Sequence, residues 1–295
     1  MNKKKVEKLL ERFRVPPGAH INLRDDYDPG FTGPFASRDV ETLTLDGILH
    51  LSDLQDRLYA QNQYGLLIIL QAMDAAGKDS TIKHVMSGVN PQGVKVTNFI
   101  EPSIEELDHD YLWRCSRALP RRGEIGIFDR SYYEEVLVVR VHPEFLDRQH
   151  LPPQFKGKDI WARRYKEINC FEEYLADNGI LVLKLFLNVS REEQKKRFLK
   201  RVDEKEKNWK FSAADIRERQ HWEEYMDAYQ DMISATSTHY APWYIIPADH
   251  KWFTRFAVAS TINSVLDSLK LAYPVVTEEQ QQELLDAKKE MENES

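Results

Sequence analysis

Apolar positions fall into two repeating patterns along this chain. Short continuous runs, of which Leu66-Leu67-Ile68-Ile69-Leu70 is the plainest, suit strands buried on both faces of a parallel sheet. Between such runs, apolar residues return every three or four positions, as in Ile48, Leu51, Leu54 and Leu58 of the segment 47–62, the spacing of an amphipathic helix. On these patterns strands are predicted near 66–71, 94–99, 124–128, 180–188 and 243–247. Helices are predicted near 78–88, 104–119, 158–177, 190–201, 213–235 and 251–271. Strands alternating with helices of about 10–15 residues predict βαβ units, and so an α/β fold of three layers in which a five-stranded parallel sheet lies between helices. Sheets of this kind bind ligands outside the carboxyl ends of their strands, so the loops after the strands are where chemistry is expected.

The two ends read differently. Segment 1–46 is rich in Pro, Gly and Asp, as in Val15-Pro16-Pro17-Gly18 and Asp25-Asp26-Tyr27-Asp28-Pro29-Gly30, which predicts a short helix and then an irregular arm laid over a body spanning 47–275. Segment 276–295 reads as an acidic surface helix opened by a capping box of Thr277 and Gln280. The longest apolar runs, Leu66–Leu70 and Ile180–Leu187, are far short of the roughly 20 residues that cross a bilayer. Near the start, Lys3-Lys4-Lys5-Val6-Glu7-Lys8 puts charges where a secretory signal would be apolar. A cytoplasmic protein without a membrane partner is expected. Cys115 and Cys170 lack the spacing of a zinc or redox site, which predicts two reduced thiols.

Charge narrows the function classes and then has to be read locally. The 295 residues carry 41 Lys and Arg against 48 Asp and Glu, a net charge of −7, which speaks against a nucleic-acid coat and a polybasic membrane binder. Yet Arg191 to Lys210 holds nine basic residues against five acidic ones, a local excess of +4, while Thr277 to Ser295 holds seven acids against two lysines. The basic run follows a predicted strand ending at Asn188, so it starts at the ligand edge of the sheet. It predicts a mobile helical lid over about 190–212, with Arg197 and Arg201 on one helix face at i, i+4. Net charge therefore leaves a polyanionic substrate open.

Two loops carry candidate chemistry. After the first strand comes Gln71-Ala72-Met73-Asp74-Ala75-Ala76-Gly77-Lys78-Asp79-Ser80-Thr81, a Gly-Lys pair at a strand-to-helix turn. In such a loop small residues let backbone N–H groups curl round phosphate oxygens, the helix N-terminus adds positive potential, and lysine reaches the outer phosphates. The usual spelling would have glycine at Ala72 and a hydroxyl residue at Asp79. A carboxylate inside an anion-binding loop makes sense if it holds a cation that travels with the phosphates, so Asp74 is read as a Mg²⁺ ligand. Asp79 and Ser80 are candidates for phosphate contact, but either also fits an ordinary helix cap that satisfies free N–H groups, and for Asp79 the cap is the favoured reading. After the third strand comes Asp129-Arg130-Ser131-Tyr132-Tyr133-Glu134-Glu135. An acid there is where phosphoryl-transfer enzymes of this architecture hold a metal, and Arg130 would offer a planar fork to the same phosphates. Glu134 and Glu135 are candidates to orient Arg130 or touch an acceptor, and Thr97 to Pro102, with Asn98, is the candidate seat of an acceptor base.

Taken together in order, Asp74-Ala75-Ala76-Gly77-Lys78-Asp79, Gly88-Val89-Asn90-Pro91-Gln92-Gly93, Gly126-Ile127-Phe128-Asp129-Arg130-Ser131-Tyr132-Tyr133-Glu134, and Glu193-Gln194-Lys195-Lys196-Arg197-Phe198 with Asn208-Trp209-Lys210 resemble the polyphosphate kinase 2 family. That family is similar in architecture to thymidylate kinases, so the resemblance implies a P-loop kinase fold with a helical lid. It further implies Mg²⁺-dependent, reversible transfer of a terminal phosphoryl group between inorganic polyphosphate and adenine nucleotides, with Mn²⁺ as a substitute ion, in a homo-oligomer, a dimer or tetramer. Its metal-binding acids map onto Asp74 and Asp129. Its loop lysine, its arginine after the second acid and its lid arginines map onto Lys78, Arg130, Arg197 and Arg201. Ala75, Ala76, Gly77, Asp79, Ser80, Asn98, Glu134 and Lys210 complete the implied phosphate and nucleotide contacts. Arg140-Val141-His142-Pro143 with Lys78-Asp79 resembles the subfamily that accepts both AMP and ADP. The competing readings are a nucleoside-triphosphate-dependent monophosphate kinase and a nucleotide- or polyphosphate-binding regulator without turnover.

Overall fold

The structure, a computed structural model, describes residues 3–210 and 213–294. Strands β1 (Gly65–Ala72), β2 (Val94–Asn98), β3 (Ile125–Asp129), β4 (Ile180–Asn188) and β5 (Trp243–Pro247) form one sheet in the order β2-β3-β1-β4-β5. Every neighbouring pair is parallel. Each strand lies within one residue of its predicted ends. The central strand β1 is buried at all eight positions, and each buried Leu or Ile side chain there contributes about 1.5–3 kcal/mol of transfer free energy. The edge strand β2 instead exposes Lys95, Val96 and Asn98.

Chain order places the site. From β1 the chain passes outward to β2, returns to β3 beside β1, and then crosses to β4 on the far side of β1. The sheet order reverses at β1, and the crevice between diverging connections opens at the carboxyl ends of β1 and β3. Register brings those ends level, with Leu70 and Asn98 both paired to Asp129.

Helix Ile160–Asp177 packs on β4, while helix Lys251–Ser268 packs on β4, β5 and the long helix Ser37–Gln61. That long helix begins ten residues before the predicted 47–62, because Val40 and Thr44 extend the buried stripe of Ile48, Leu51 and Leu54 backwards. Two predicted helices are broken. The segment 104–119 splits into Ile104–Leu107 and Trp113–Ala118, where the Asp110 carboxylate takes the Leu112 N–H at 3.0 Å and competes with a continuous ladder. The segment 213–235 splits into Ala213–Glu218 and Trp222–Thr236 around the 3₁₀ turn Arg219–His221.

The N-terminal segment forms helix Lys3–Phe13 and then turns along the exposed side of β5. Val15 N–H donates to Trp243 O at 2.9 Å, and Phe13 meets Phe31 and Phe253 edge-on with ring centroids 6.2 Å apart. The arm thus covers a sheet edge that would otherwise be open to pairing. The C-terminal helix Glu278–Glu292 starts at the predicted capping box of Thr277 and Gln280 and is exposed along its whole length. No helix among the described residues is long and apolar enough to cross a membrane. Both cysteines are free thiols, Cys115 buried and Cys170 exposed; burial pushes the Cys115 thiol up to about 12.

Candidate active site

The loop after β1 runs straight into helix Lys78–Val85, as the Gly-Lys spacing predicts. Ala75 and Gly77 take left-handed backbone angles, φ +62° and +105°. At Gly77 the absence of Cβ makes that turn easy; at Ala75 it is a strained conformation that the surroundings must hold. Gly77 caps the helix without any side-chain cap, and the Ser80 hydroxyl donates to Gly77 O at 3.0 Å instead of accepting from an N–H. Ser80 therefore does not act as the conventional cap that its position allowed. Lys78 folds back so that Nζ donates to Ala72 O at 3.3 Å.

A further left-handed residue, Arg130 at φ +64°, stands at the end of β3. Its backbone N–H donates to Leu70 O at 3.3 Å, and its guanidinium Nη2 meets Asp74 Oδ1 at 3.2 Å. The Glu134 carboxylate is its strongest electrostatic neighbour and raises the guanidinium pKa further, with Asp74 adding to the effect. In return, burial pushes the Glu134 carboxyl up while Arg130 and Lys78 pull it down.

Asp74, Lys78 and Arg130 open on one cavity of about 470 Å³. It is lined from the loops by Asp74, Ala75, Gly77, Lys78, Asp79, Ser80, Asp129 and Arg130, and from the far wall by Arg197, Lys200, Arg201 and Lys251. Its six cationic and five acidic lining residues nearly balance, so the +4 of the basic run is not a property of the cavity. A polyanion would need cations to accompany it into such a site.

The residues fit such a cation. Asp129 is buried, and its Oδ1 has no hydrogen-bond partner among the described residues. Burial pushes its carboxyl up; Lys78 and Arg130 oppose that shift, and Asp79, within hydrogen-bonding reach, adds to it. A buried carboxylate left with an orphan oxygen beside a second carboxylate is a donor set for a hard cation. Among the described residues no group of three or more His, Cys, Asp or Glu side chains converges on a metal position. Mg²⁺ held together with substrate phosphates uses only one or two carboxylates, so the two observations agree.

A family profile described as Polyphosphate kinase 2 (PPK2) matches residues 36–274. The chain belongs to the polyphosphate kinase 2 family. It is 48% identical over 284 residues to the ADP-polyphosphate phosphotransferase of Rhodopseudomonas palustris, covering 95% of this chain and 98% of that one. It is 43% identical over 267 residues to the AMP/ADP-polyphosphate phosphotransferase of Meiothermus ruber, covering 90% and 96%. The crystal structure of Polyphosphate Kinase 2 from Arthrobacter aurescens TC1 superposes with a TM-score of 0.85 at 36% identity, covering 96% of both chains.

Within this family member the structure brings together most of the sequence-derived set and sorts it. Asp74, Ala75, Gly77, Lys78, Asp79, Ser80, Asn98, Asp129, Arg130, Arg197 and Arg201 all line the main cavity. Ala76 is buried beneath the loop with its carbonyl accepting from Arg197 at 2.6 Å. Glu134 lines an adjoining cavity of about 140 Å³ that shares Asp74 and Arg130 with the first. Glu135 turns away from the site, buried against Arg164 at 3.2 Å and Gln149 at 2.9 Å. The Lys210 side chain lies outside the described residues.

Arg197 is a correction to the lid reading. All five guanidinium donors are engaged within the protein: with Ala75 O and Ala76 O, with Ala248 O and Asp249 O, and with the Glu193 carboxylate. It braces the loop after β1 and presents no open fork to the cavity. Gln194, on the same helix Arg191–Asp203, donates to Asp74 O at 3.0 Å. The first half of the expected lid is thus stitched onto the loop, and only from Leu199 onward does the helix expose apolar side chains. Sequence reading missed Gln194 and Lys251. The available signals were a polar residue on the buried face of Phe198 and a lysine directly after β5 at the same sheet edge.

Proposed function

We propose that this polyphosphate kinase 2 family member transfers the terminal phosphoryl group of inorganic polyphosphate to AMP and ADP, forming ADP and ATP, through the loops after β1 and β3. The enzyme is a polyphosphate-dependent nucleotide kinase. The observation that carries the site assignment is the meeting of Lys78, Arg130 and the orphan oxygen of Asp129 in one cavity at the sheet's carboxyl edge. Asp129 and Asp74 would hold Mg²⁺, or Mn²⁺ in its place, which when bound neutralises charge on the polyphosphate oxygens.

A terminal phosphate oxygen of the acceptor attacks the terminal phosphorus of the chain. One P–O bond forms, the bridging P–O bond breaks, and the shortened chain leaves with the bridging oxygen. The acceptor oxygen is already anionic, so no strong base is required, and rate comes from positioning and charge stabilisation. Lys78 and the Arg130 fork bear on the transferred group, Glu134 orients Arg130, and the Gly77 turn offers backbone N–H groups. The acceptor nucleoside is assigned to Thr97–Pro102. Asn98 and exposed Ile100 line both the main cavity and an adjoining groove of about 350 Å³. We further assign the enzyme to the cytoplasm and to a homo-oligomer, the bare C-terminal helix supporting the latter.

Purified protein incubated with AMP or ADP, long-chain polyphosphate and Mg²⁺ is expected to form ATP. Product from GTP as donor, with none from polyphosphate, would sink this reading in favour of a triphosphate-dependent kinase. Tight nucleotide binding without product from either donor would make the protein a regulator.

A further inference from the structure

Behind the site lies an ionic cluster whose two charges are completely buried. Lys184 of β4 and Glu172 of helix Ile160–Asp177 are both completely buried, Nζ to Oε2 2.6 Å. Lys184 also donates to Tyr133 Oη at 3.0 Å and Thr236 O at 2.5 Å, while Tyr132 and Tyr133 each donate a hydroxyl to Glu172 Oε1 at 2.9 and 2.8 Å. Every ammonium hydrogen and both carboxylate oxygens are matched, which fits the charged pair. Burial pushes the Glu172 carboxyl up and the Lys184 ammonium down, and each is opposed by the other. A buried ion pair is no more stabilising than well-packed apolar residues of similar volume, so stability alone does not explain it.

What the pair holds is the chain directly after Arg130. Arg130 sits at φ +64°, a backbone state that non-glycine residues leave unless their surroundings fix them. The three residues that follow are fixed from two sides. Ser131 Oγ accepts from Gln71 Nε2 and from Tyr133 N–H, both at 3.2 Å, which ties the segment to β1. On the other side the two tyrosine hydroxyls tie it to Glu172. Without that second anchor, Arg130 is free to relax to an ordinary backbone state, which swings its guanidinium away from Asp74 and the phosphate position.

We propose that Glu172 and Lys184, acting through Tyr132 and Tyr133, are positioning residues that hold Arg130 in its left-handed conformation with its fork aimed into the phosphate cavity. The proposal rests on the phosphotransferase reading above. A displacement of about 1 Å at such a group can cost roughly 10²-fold in rate.

The test is a mutant cycle read by steady-state kinetics with ADP, polyphosphate and Mg²⁺. Tyr133→Phe removes one hydroxyl and keeps the ring; Glu172→Gln removes the charge. In the otherwise wild-type enzyme, kcat is expected to fall about tenfold for the first and about 10²-fold for the second, with the ADP KM little changed. In an Arg130→Ala background, Tyr133→Phe is expected to change kcat by less than about twofold, because the group it positions is gone. An equal loss in both backgrounds, a rise in KM alone, or an unchanged kcat would overturn the proposal. Should Glu172→Gln fail to fold, Tyr133→Phe and Tyr132→Phe carry the test. Wild-type protein that makes no ATP from polyphosphate marks failure of the functional reading instead, since the proposal is judged only on variants of an active enzyme.

Discussion

Two ionic clusters share this sheet, and they are built on opposite rules. Around Glu172 and Lys184 every donor and acceptor finds a partner inside the protein, and both charges are fully buried. Around Asp129 the accounting does not close among the described residues: one carboxylate oxygen is an orphan, a second carboxylate stands beside it, and Lys78 Nζ donates to a backbone carbonyl at 3.3 Å. A protein keeps a buried polar atom unmatched at a cost of about 1–3 kcal/mol, and the usual compensation is a ligand. The closed cluster is scaffold, and the open one is where, on the function proposed above, substrate and ion would complete the structure.

The sharpest way to break this contrast is to remove one partner of the closed pair. Lys184→Met should destabilise the fold by about 3–5 kcal/mol, and adding Glu172→Leu should recover much of the loss, as urea midpoints would show. In the open cluster the signs reverse. Asp129→Asn should lower turnover by about 10²–10³-fold while leaving the ligand-free protein as stable as wild type or more so, because it relieves an uncompensated carboxylate. Linkage gives a second reading of the same variant. A carboxyl raised in the folded state keeps a proton that the unfolded chain has released, so stability falls as pH rises from the ordinary carboxylate range through the raised value. Urea titrations of ligand-free protein should show a shallower decline for Asp129→Asn; the same slope in both proteins would place the carboxyl elsewhere. Glu134, Glu135 and Glu172 are raised by burial too, so some slope remains.

Arg197 lies between the two clusters in kind, a charge at the cavity whose donors are nevertheless closed. Arg197→Ala should therefore lose both properties, with turnover down about 10²-fold and stability down by about 2–3 kcal/mol, measured on one preparation. The smallest effect belongs to a region with neither kind of cluster. Leu285→Ser on the exposed C-terminal helix should shift the unfolding free energy by less than about 0.5 kcal/mol at low protein concentration, while weakening any self-association read by light scattering.

Particular residues show where the sequence could be read and where it could not. Gly77 and Lys78 announce a phosphate loop because the strand before and the helix after are visible in the same dozen residues, and Asp129-Arg130 sits at a strand end for the same local reason. The lid was misread at Arg197 because a basic helix looks alike whether its arginines face solvent or backbone carbonyls. Those carbonyls, Ala75, Ala76, Ala248 and Asp249, come from two other loops. Asp79 looked like a helix cap, and only the pairing of β1 with β3 sets it beside Asp129. Lys184 was invisible for a simpler reason: one charge in an apolar strand carries no hint of which buried partner receives it.

By itself, then, the sequence determined the five strands, their parallel arrangement, the Gly-Lys turn from β1 into its helix and the acid-arginine pair after β3, because each is written in contiguous residues whose periodicity or turn chemistry is local. The tertiary structure decided which charges are closed and which are open. That distinction depends on distances between side chains far apart in the chain, and neither a count of charges nor their spacing along the sequence contains it.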